Sequence, residues 1–561
     1  MRLLLAIALG VPLLLPAPAA AQNPRVFGAQ QRAPARDPST EKPGTSVIRG
    51  KVTSGDTARP LRRAQIRVMA PELTAARTAS TNTQGNYEIR DLPAGRYTIT
   101  VTRSGYLPMQ YGQRRPGESA KPLQVIEAQT VERVDFVMPR AGAISGRVTD
   151  ETGEAFAAVN VWALQAQYFR GRRRLVPTGQ QARTDDTGQY RLLAVTPGDY
   201  VIMARIRETW TVEGDVKEVY SYLPSYFPGT GNAAEAQRVK VAVGQEVGGI
   251  DFAMLPGRVA SVSGTAFRSD GAPLSSVMVM EEMTGRTMMS SSMVGSAKVG
   301  ADGAWTLKEV PPGEYRLSAE AGGTGDPGRP AESATTTISV TGTDLDGVSL
   351  VADAGGVIAG QVVTDDGGAL PPAVLKTRVS AQSLGDAGVR FMGGGGQIDA
   401  EGKFELTGVR GPSLIRLNPP QGWAIKSVDI GGRDYVDAPF EVRGGRRIDG
   451  ARIVLTSRFP SLAGRIVDAR ANAADGTVIL FPADASKWIE DSGAARGSRP
   501  DQSGTFRFQS VRPGDYLVIA LDYVESWQWS DPEFLESLRD RATRLTLGEG
   551  EIEAVTLTLK K

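Results

Sequence analysis

The residues able to do chemistry are few, and the absences decide most of the reading. The 561-residue sequence contains no histidine and no cysteine. Zinc sites built from those ligands, Ser-His-Asp triads, Cys-His dyads and imidazole acid-base catalysis therefore have nothing to work with. A Ser-x-x-Lys spacing runs from Ser39 to Lys42, but that chemistry needs a fold to hold the nucleophile beside its base, and this stretch reads as a tether. What remains is carboxylate chemistry, either a glycosidase-type pair or an oxygen-ligand metal site. The candidates are Asp185 with Asp186, Asp365 with Asp366, and Asp484 with Asp491. The first two pairs sit beside glycine in turn-like sequence, where Asp bonds its own backbone. The expectation is turn chemistry: a non-enzyme, with no catalytic residue, no cofactor and no metal. Gly393 to Gly396 reads as a flexible loop, because no Gly-Lys-Ser/Thr follows to cradle a phosphate.

Binding has better candidates, and they are aromatic. Tyr106 to Gly112 and Tyr220 to Pro228 set rings in Pro/Gly-containing sequence, and Trp527 and Trp529 stand close together near the end. Rings held on a rigid loop stack on sugar faces or on a partner's apolar groups. The candidate ligand-binding residues are Tyr106, Tyr111, Tyr220, Tyr222, Tyr226, Phe227, Trp527 and Trp529; the alternative is that they plug sandwich ends or domain junctions. Met278 to Met293 holds six of the 13 methionines. Thioethers suit Cu(I), whereas the plainer reading has Met278 and Met280 on one face of a strand filling a core gap. Four arginines around Gly171, Arg170 to Arg174, read as a solvated hairpin tip. Ser530 with Glu533 has capping-box spacing, Pro532 suits a first turn, and Leu535, Leu538 and Ala542 share a face, so a short amphipathic helix is predicted near 531–543. It either packs on the last sandwich or forms a docking patch.

The elements that must position these residues come from a repeat. Gln84 to Val101 reads as strand, turn, strand: Tyr87 and Ile89 alternate with Glu88 and Arg90, Pro93-Ala94-Gly95 interrupts, and Tyr97, Ile99 and Val101 alternate with threonines. The pattern returns at Gly188-Gln189-Tyr190 with Pro197-Gly198-Asp199-Tyr200, at Gly303-Ala304-Trp305 with Pro312-Gly313-Glu314-Tyr315, and at Gly504-Thr505-Phe506 with Pro513-Gly514-Asp515-Tyr516. A degenerate copy, Gly402-Lys403-Phe404, has Arg410-Gly411 for Pro-Gly and Ser413 for the second tyrosine. Each copy reads as a hairpin, with glycine supplying positive φ and proline presetting the next strand. Opening strands carry a central glycine at positions 50, 146, 264, 360 and 464, and closing strands such as Val134 to Met138 alternate in the same period. The intervals of 96, 118, 96 and 104 residues between those glycines are the size of a small autonomous domain.

The reading is all-β: a tandem array of five Greek-key β-sandwich domains, with a short helix in the last. Expected boundaries are 46–140, 141–256, 257–352, 353–457 (the degenerate repeat) and 458–561. Heavy punctuation by 65 Gly and 35 Pro agrees with short strands and tight turns. Residues 1–21 read as a secretory signal peptide, with Arg2, an apolar run from Leu3 to Leu15 and Ala19-Ala20-Ala21 before the expected cleavage. Residues 22–45 read as a disordered linker. No later stretch is apolar for about 18 residues, so the mature chain is expected to be extracytoplasmic, periplasmic or secreted, without a transmembrane segment. A net charge of +2 from 64 basic and 62 acidic residues offers no footprint for nucleic acid.

The units resemble carboxypeptidase regulatory-like domains, on the opening Gly-x-Val strand, the Gly-x-Tyr/Phe turn and the Pro-Gly-x-Tyr segment. The resemblance implies transthyretin-like sandwiches of the carbohydrate-binding-like class. It carries over no catalytic residue, and the peptidase it is named for would need histidines. The expected function is a non-enzymatic binding protein that presents loop aromatics to a polysaccharide or an envelope protein; the alternative is a structural spacer with no small ligand.

Overall fold

The computed structural model describes residues 44–169, 172–213, 218–284, 289–321, 332–384, 392–420, 422–442, 444–489, 492–501 and 503–560. The signal peptide, most of the linker, Arg170, Gly171, Met288 and Asp491 lie outside the described residues.

Each of five β-sandwich modules is built around its opening strand. In module 1, Ser46–Ser54 pairs antiparallel with Asn86–Leu92 and parallel with Thr130–Val131 and Phe136–Met138. Gly142–Thr149 has the same three partners in module 2, and in modules 3 to 5 Ala260–Phe267, Gly356–Thr364 and Ser461–Val467 each pair with one antiparallel strand and one continuous parallel closing strand. The central glycine has a steric cause. A Cβ on Gly50 would lie 1.9 Å from the Val134 carbonyl oxygen, and the equivalents on Gly146, Gly264, Gly360 and Gly464 would lie 2.0, 1.8, 2.0 and 2.0 Å from carbonyls of their own closing strands. Only hydrogen fits there.

The repeated segment is not a hairpin. Asn86–Leu92 pairs with the opening strand in one sheet, while Gly95–Thr102 pairs with Gln65–Met69, Met109–Gln110 and Leu123–Val125 in the other. Modules 2, 3 and 4 divide their copies between sheets in the same way. Alternation specifies a strand with one buried face but not its partner, so the Pro-Gly segment is a crossover between layers. A tyrosine braces it. Tyr97, Tyr200 and Tyr315 each donate to the carbonyl four residues upstream, on Pro93, Thr196 and Pro311, at 2.6, 2.6 and 2.8 Å, the geometry of a tyrosine corner. In module 4 Ser413 replaces it and its hydroxyl reaches the Arg410 and Gly411 carbonyls.

Positive φ falls on the first repeat glycine in every copy: Gly85, Gly188, Gly303, Gly402 and Gly504. It also falls six residues later in every copy, on Asp91, Ala194, Glu309, Gly408 and Ser510. In modules 1 to 4 this lies opposite a register shift in the opening strand, so it is a β-bulge that re-aims the chain toward the second sheet. Only one of the five residues is glycine.

The last module departs from the others. Its sheets join into one seven-stranded sheet, and Thr477–Pro482 is buried at every residue. Val478 and Leu480 face the core holding Leu462, Phe506 and Leu557. Ile479 and Phe481 face a second core closed by Trp488, Val524, Leu535 and Leu538. The helix exists to cover that second face. It spans Pro532–Leu538, followed by a 3-10 turn, and its N-cap is Asp531, whose side chain accepts from Glu533 N. The capping-box assignment to Ser530 is thereby corrected: Ser530 ends a preceding turn, Gln528–Ser530. Two further corrections concern strands. Gly393 to Gly396 lies in Met392–Gln397, paired with Arg378–Ser383, rather than in a loop. Val277 and Val279 face the core of module 3, so Met278 and Met280 occupy the opposite, half-buried face.

Two substitutions test this geometry by chemical denaturation. Gly264→Ala is expected to destabilise module 3 by at least about 3 kcal/mol, the upper end for overpacking, because the obstacle is backbone. Ala194→Gly is expected to stabilise module 2 by about 0.5–1 kcal/mol, the relief of a left-handed alanine less the added chain entropy of glycine.

Candidate functional site: aromatic segments and the docking of module 5 on module 1

None of the eight candidate aromatic residues is fully exposed. Tyr106 and Tyr111 pack against the core of module 1, and the Arg140 guanidinium lies 5.6 Å from the Tyr106 ring centre. Tyr220 and Tyr222 are in a strand, Glu218–Tyr222, rather than a loop; it pairs with Thr209–Val212 and with Pro256–Arg258 at the junction with module 3. Trp210 stacks on Tyr220 at 6.0 Å and meets Tyr222 at 4.7 Å. The Tyr222 hydroxyl donates to Glu151 Oε2 at 2.7 Å, and its ring meets Phe156 edge-on at 4.8 Å. Tyr226 packs with Leu164, Val201 and Met203. Phe227 sits edge-on to Phe252 at 6.2 Å. Trp527 donates to Glu525, and the Trp529 ring lies against Gly497 and the second core of module 5. Proline and aromatic spacing signals a ring held by its surroundings; it does not say whether those surroundings are solvent or core.

Tyr222 also lines a cleft of about 170 Å³ between modules 2 and 3, with Arg205, Arg207, Thr209, Ser221 and Tyr315. Desolvation first, then the neighbouring Arg207 charge, lowers Arg205 to about 10. Tyr315 is pushed up to about 12, chiefly by burial.

Four of the candidate carboxylates, Asp185, Asp365, Asp366 and Asp484, do separate structural work. Asp185 accepts from Thr187 N, Thr187 Oγ1 and Gln189 N at 2.9, 2.7 and 2.9 Å, closing the turn before Gly188. Asn82, Asp399 and Asp501 do the same three residues before Gly85, Gly402 and Gly504. Asp366 caps its own turn through Gly368 N, whereas Asp365 faces Arg458 and Lys426. Asp484 caps the turn Ala485–Lys487. Among the described residues no three acidic, histidine or cysteine side chains gather as a metal site would require.

The most developed polar constellation was not apparent from sequence. Pro43–Lys561 forms one unit, in which a loop of module 1, residues 112–121, receives an edge of module 5. Arg499 donates to the Gly112 and Ser119 carbonyls at 2.7 and 3.1 Å and pairs with Glu118 at 3.1 Å. Both side chains of that pair are 0% exposed. Arg499 also holds Asp475 of its own module at 2.9 Å, and Lys121 reaches the other oxygen of that carboxylate at 2.7 Å. Arg114 and Arg115 reach Asp522 at 3.2 and 3.5 Å. Tyr523 donates to the Pro116 carbonyl at 3.1 Å beneath the Arg115 guanidinium, and Ser526 N donates to Gly117 O. Burial, then the Glu525 and Glu118 charges, push Tyr523 up to about 12. Module 2 reaches the same region: Arg173 pairs with the buried N-cap Asp531 at 2.9 Å and with Glu533 at 3.1 Å. The reading of the arginine run as a solvated hairpin tip holds at Arg173, which pairs across the hairpin with Tyr168 and keeps a side chain 54% exposed, while its guanidinium also reaches module 5. No sequence signal pairs residues almost four hundred positions apart; the only local hint is Arg114-Arg115 followed by Glu118.

Desolvation raises Asp475, but the close approach of the Lys121 ammonium and the Arg499 guanidinium outweighs it and leaves the carboxyl below its usual value. A carboxylate depressed on docking contributes fully above the undocked value of about 4 and loses its contribution as pH falls through the docked one. Small-angle scattering is therefore expected to give one radius of gyration from neutral pH down to about pH 4, and a larger one only as the pH falls further, through the docked value.

Residues 47–139 and 143–254 each match the family model for the carboxypeptidase regulatory-like domain. No curated protein matches the sequence. Among solved structures, a streptococcal ancillary pilin aligns at 11% identity over 55% of this chain and 98% of its own, with a TM-score of 0.20. The Bacillus anthracis TIE protein aligns at 12% identity over 74% of this chain and 73% of its own, with a TM-score of 0.15. BcpA, the major pilin subunit of Bacillus cereus, aligns at 10% identity over 55% of this chain and 99% of its own, with a TM-score of 0.13.

Proposed function

Because residues 47–254 carry two carboxypeptidase regulatory-like domains in tandem, we propose that this protein is a non-enzymatic scaffold of the extracytoplasmic space, an array of five sandwiches held closed by docking of its last module on its first. The buried Glu118–Arg499 pair and the carbonyls that Arg499 engages carry this reading. A buried ion pair is costly to form, here the more so because Arg499 Nε is left without an acceptor, and a chain of passive spacers has no use for one between its ends. The aromatic residues point the same way, since they brace module interiors and junctions. Export is supported by the N-terminal pattern of Arg2, Leu3 to Leu15 and Ala19 to Ala21, and no helix among the described residues is long and apolar enough to cross a membrane.

Arg499→Ala leaves Glu118 without its partner across the interface, a change that typically costs about 3–5 kcal/mol for a buried pair. The expected result is an opened chain with a larger radius of gyration and an unchanged far-UV circular dichroism spectrum. An unchanged radius would remove the docking from the account.

Glycan recognition is the second reading, favoured by the Trp210 stack on Tyr220 and Tyr222 beside the cleft between modules 2 and 3. Tyr220 is half-buried and stands outside the core of module 2, so it can be changed without emptying that core, whereas Trp210 packs against the core and Tyr222 belongs to it. Purified protein screened against bacterial and plant polysaccharides is expected, on this reading, to show binding that Trp210→Ala and Tyr220→Ala each weaken at least tenfold, as loss of a stacking ring should. Binding to none of them leaves the scaffold alone.

A further inference from the structure

The two surfaces that close the array are unlike each other. One is a loop of module 1; the other is an edge of module 5 built from Asp475, Arg499 and residues 522–526. Such an interface is heterologous, and a heterologous interface that does not close within one molecule generates head-to-tail assemblies. Resting on the docked array proposed above, we infer that these surfaces also pair between copies of this chain, the module 1 loop of one chain receiving the module 5 edge of the next when the array is open.

Charge complementarity runs in both directions. Arg114, Arg115 and Lys121 on the loop meet Asp522 and Asp475 on the edge, while Glu118 on the loop meets Arg499 on the edge. Opposed patterns of this kind select a partner and fix its register. Recognition of the loop also reads its backbone: the Gly112, Pro116, Gly117 and Ser119 carbonyls all accept from module 5. A generic acidic or basic protein does not reproduce that set, whereas a second copy presents it unchanged. Each face also keeps an internal ion pair when separated, Arg499 with Asp475 at 2.9 Å and Glu118 with Arg114 at 3.3 Å. An opened chain therefore exposes two faces already shaped for redocking. Closure within one chain has the advantage of a local concentration on the order of millimolar, so the closed monomer is the resting form and pairing between chains needs that closure to be blocked.

Two charge reversals separate the cases. Glu118→Arg and Arg499→Glu each set like charges across the interface within their own chain, but a mixture still contains one intact loop and one intact edge. Sedimentation velocity at roughly 100 μM, below the local concentration of closure, is expected to show each variant alone as an extended monomer. The equimolar mixture should form a 1:1 dimer, which added NaCl weakens through the exposed pairs of Arg114 and Arg115 with Asp522. Extended monomers that stay monomeric on mixing would overturn pairing between chains and leave the docked array intact. Compact monomers from both variants would instead overturn the docked array, and this inference with it. Arg115→Glu with Asp522→Arg repeats the test at positions 59% and 37% exposed, where misfolding does not confuse the result.

Discussion

A closing-strand carbonyl pressed against an opening-strand glycine is the constraint from which each module follows. The approach is about the same in all five: the carbonyl lies where a Cβ would have to be, at 1.8 to 2.0 Å. Because the two strands are parallel and lie at opposite ends of the module sequence, this contact forms only when the chain between them has completed both sheets. In modules 1 and 2 the same carbonyl also receives a tyrosine hydroxyl, from Tyr87 to Val134 and from Tyr190 to Ile250, at 2.7 and 2.8 Å. Trp305, Phe404 and Phe506 fill that place in the other modules as ring volume without the hydroxyl. Close packing is common to all five copies, and the hydrogen bond is an addition in two.

The bulge six residues after the turn glycine follows from the same constraint. The strand has to stay with the opening strand long enough to bury its alternate residues, then leave for the other sheet within a few positions. A left-handed residue provides that change of direction, and non-glycine residues accept the strain in four modules because surrounding backbone pairing holds them there. The tyrosine corners then secure the first turn of the new strand.

Contacts between modules obey different physics. Inside each sandwich the apolar faces are satisfied locally, so little apolar surface is left to join the ends. Module 5 meets module 1 through guanidinium groups, carboxylates and carbonyls, an interface that favours one partner and register more than it favours raw affinity. The second core of module 5 belongs to this arrangement. Burying both faces of Thr477–Pro482 required a helix, and the N-cap of that helix is the carboxylate that Arg173 of module 2 engages.

What the amino-acid sequence determined by itself was everything with a short period. Strand alternation, the recurring glycines, the number of modules and the absence of imidazole and thiol chemistry are local or compositional facts, and each was legible without coordinates. The strand partners were not: Asn86–Leu92 and Gly95–Thr102 carry the pattern of a hairpin, yet they belong to different sheets. The candidate site was least legible of all. Tyr222, Tyr226 and Phe227 looked like presented rings because ring spacing is visible in sequence and burial is not. Nothing in the sequence singles out Glu118 or Arg499, since their pairing exists only after five modules have folded and four junctions have set their directions. Tertiary structure decided both, because burial and long-range pairing depend on which surfaces meet in space, and no periodicity along the chain encodes that.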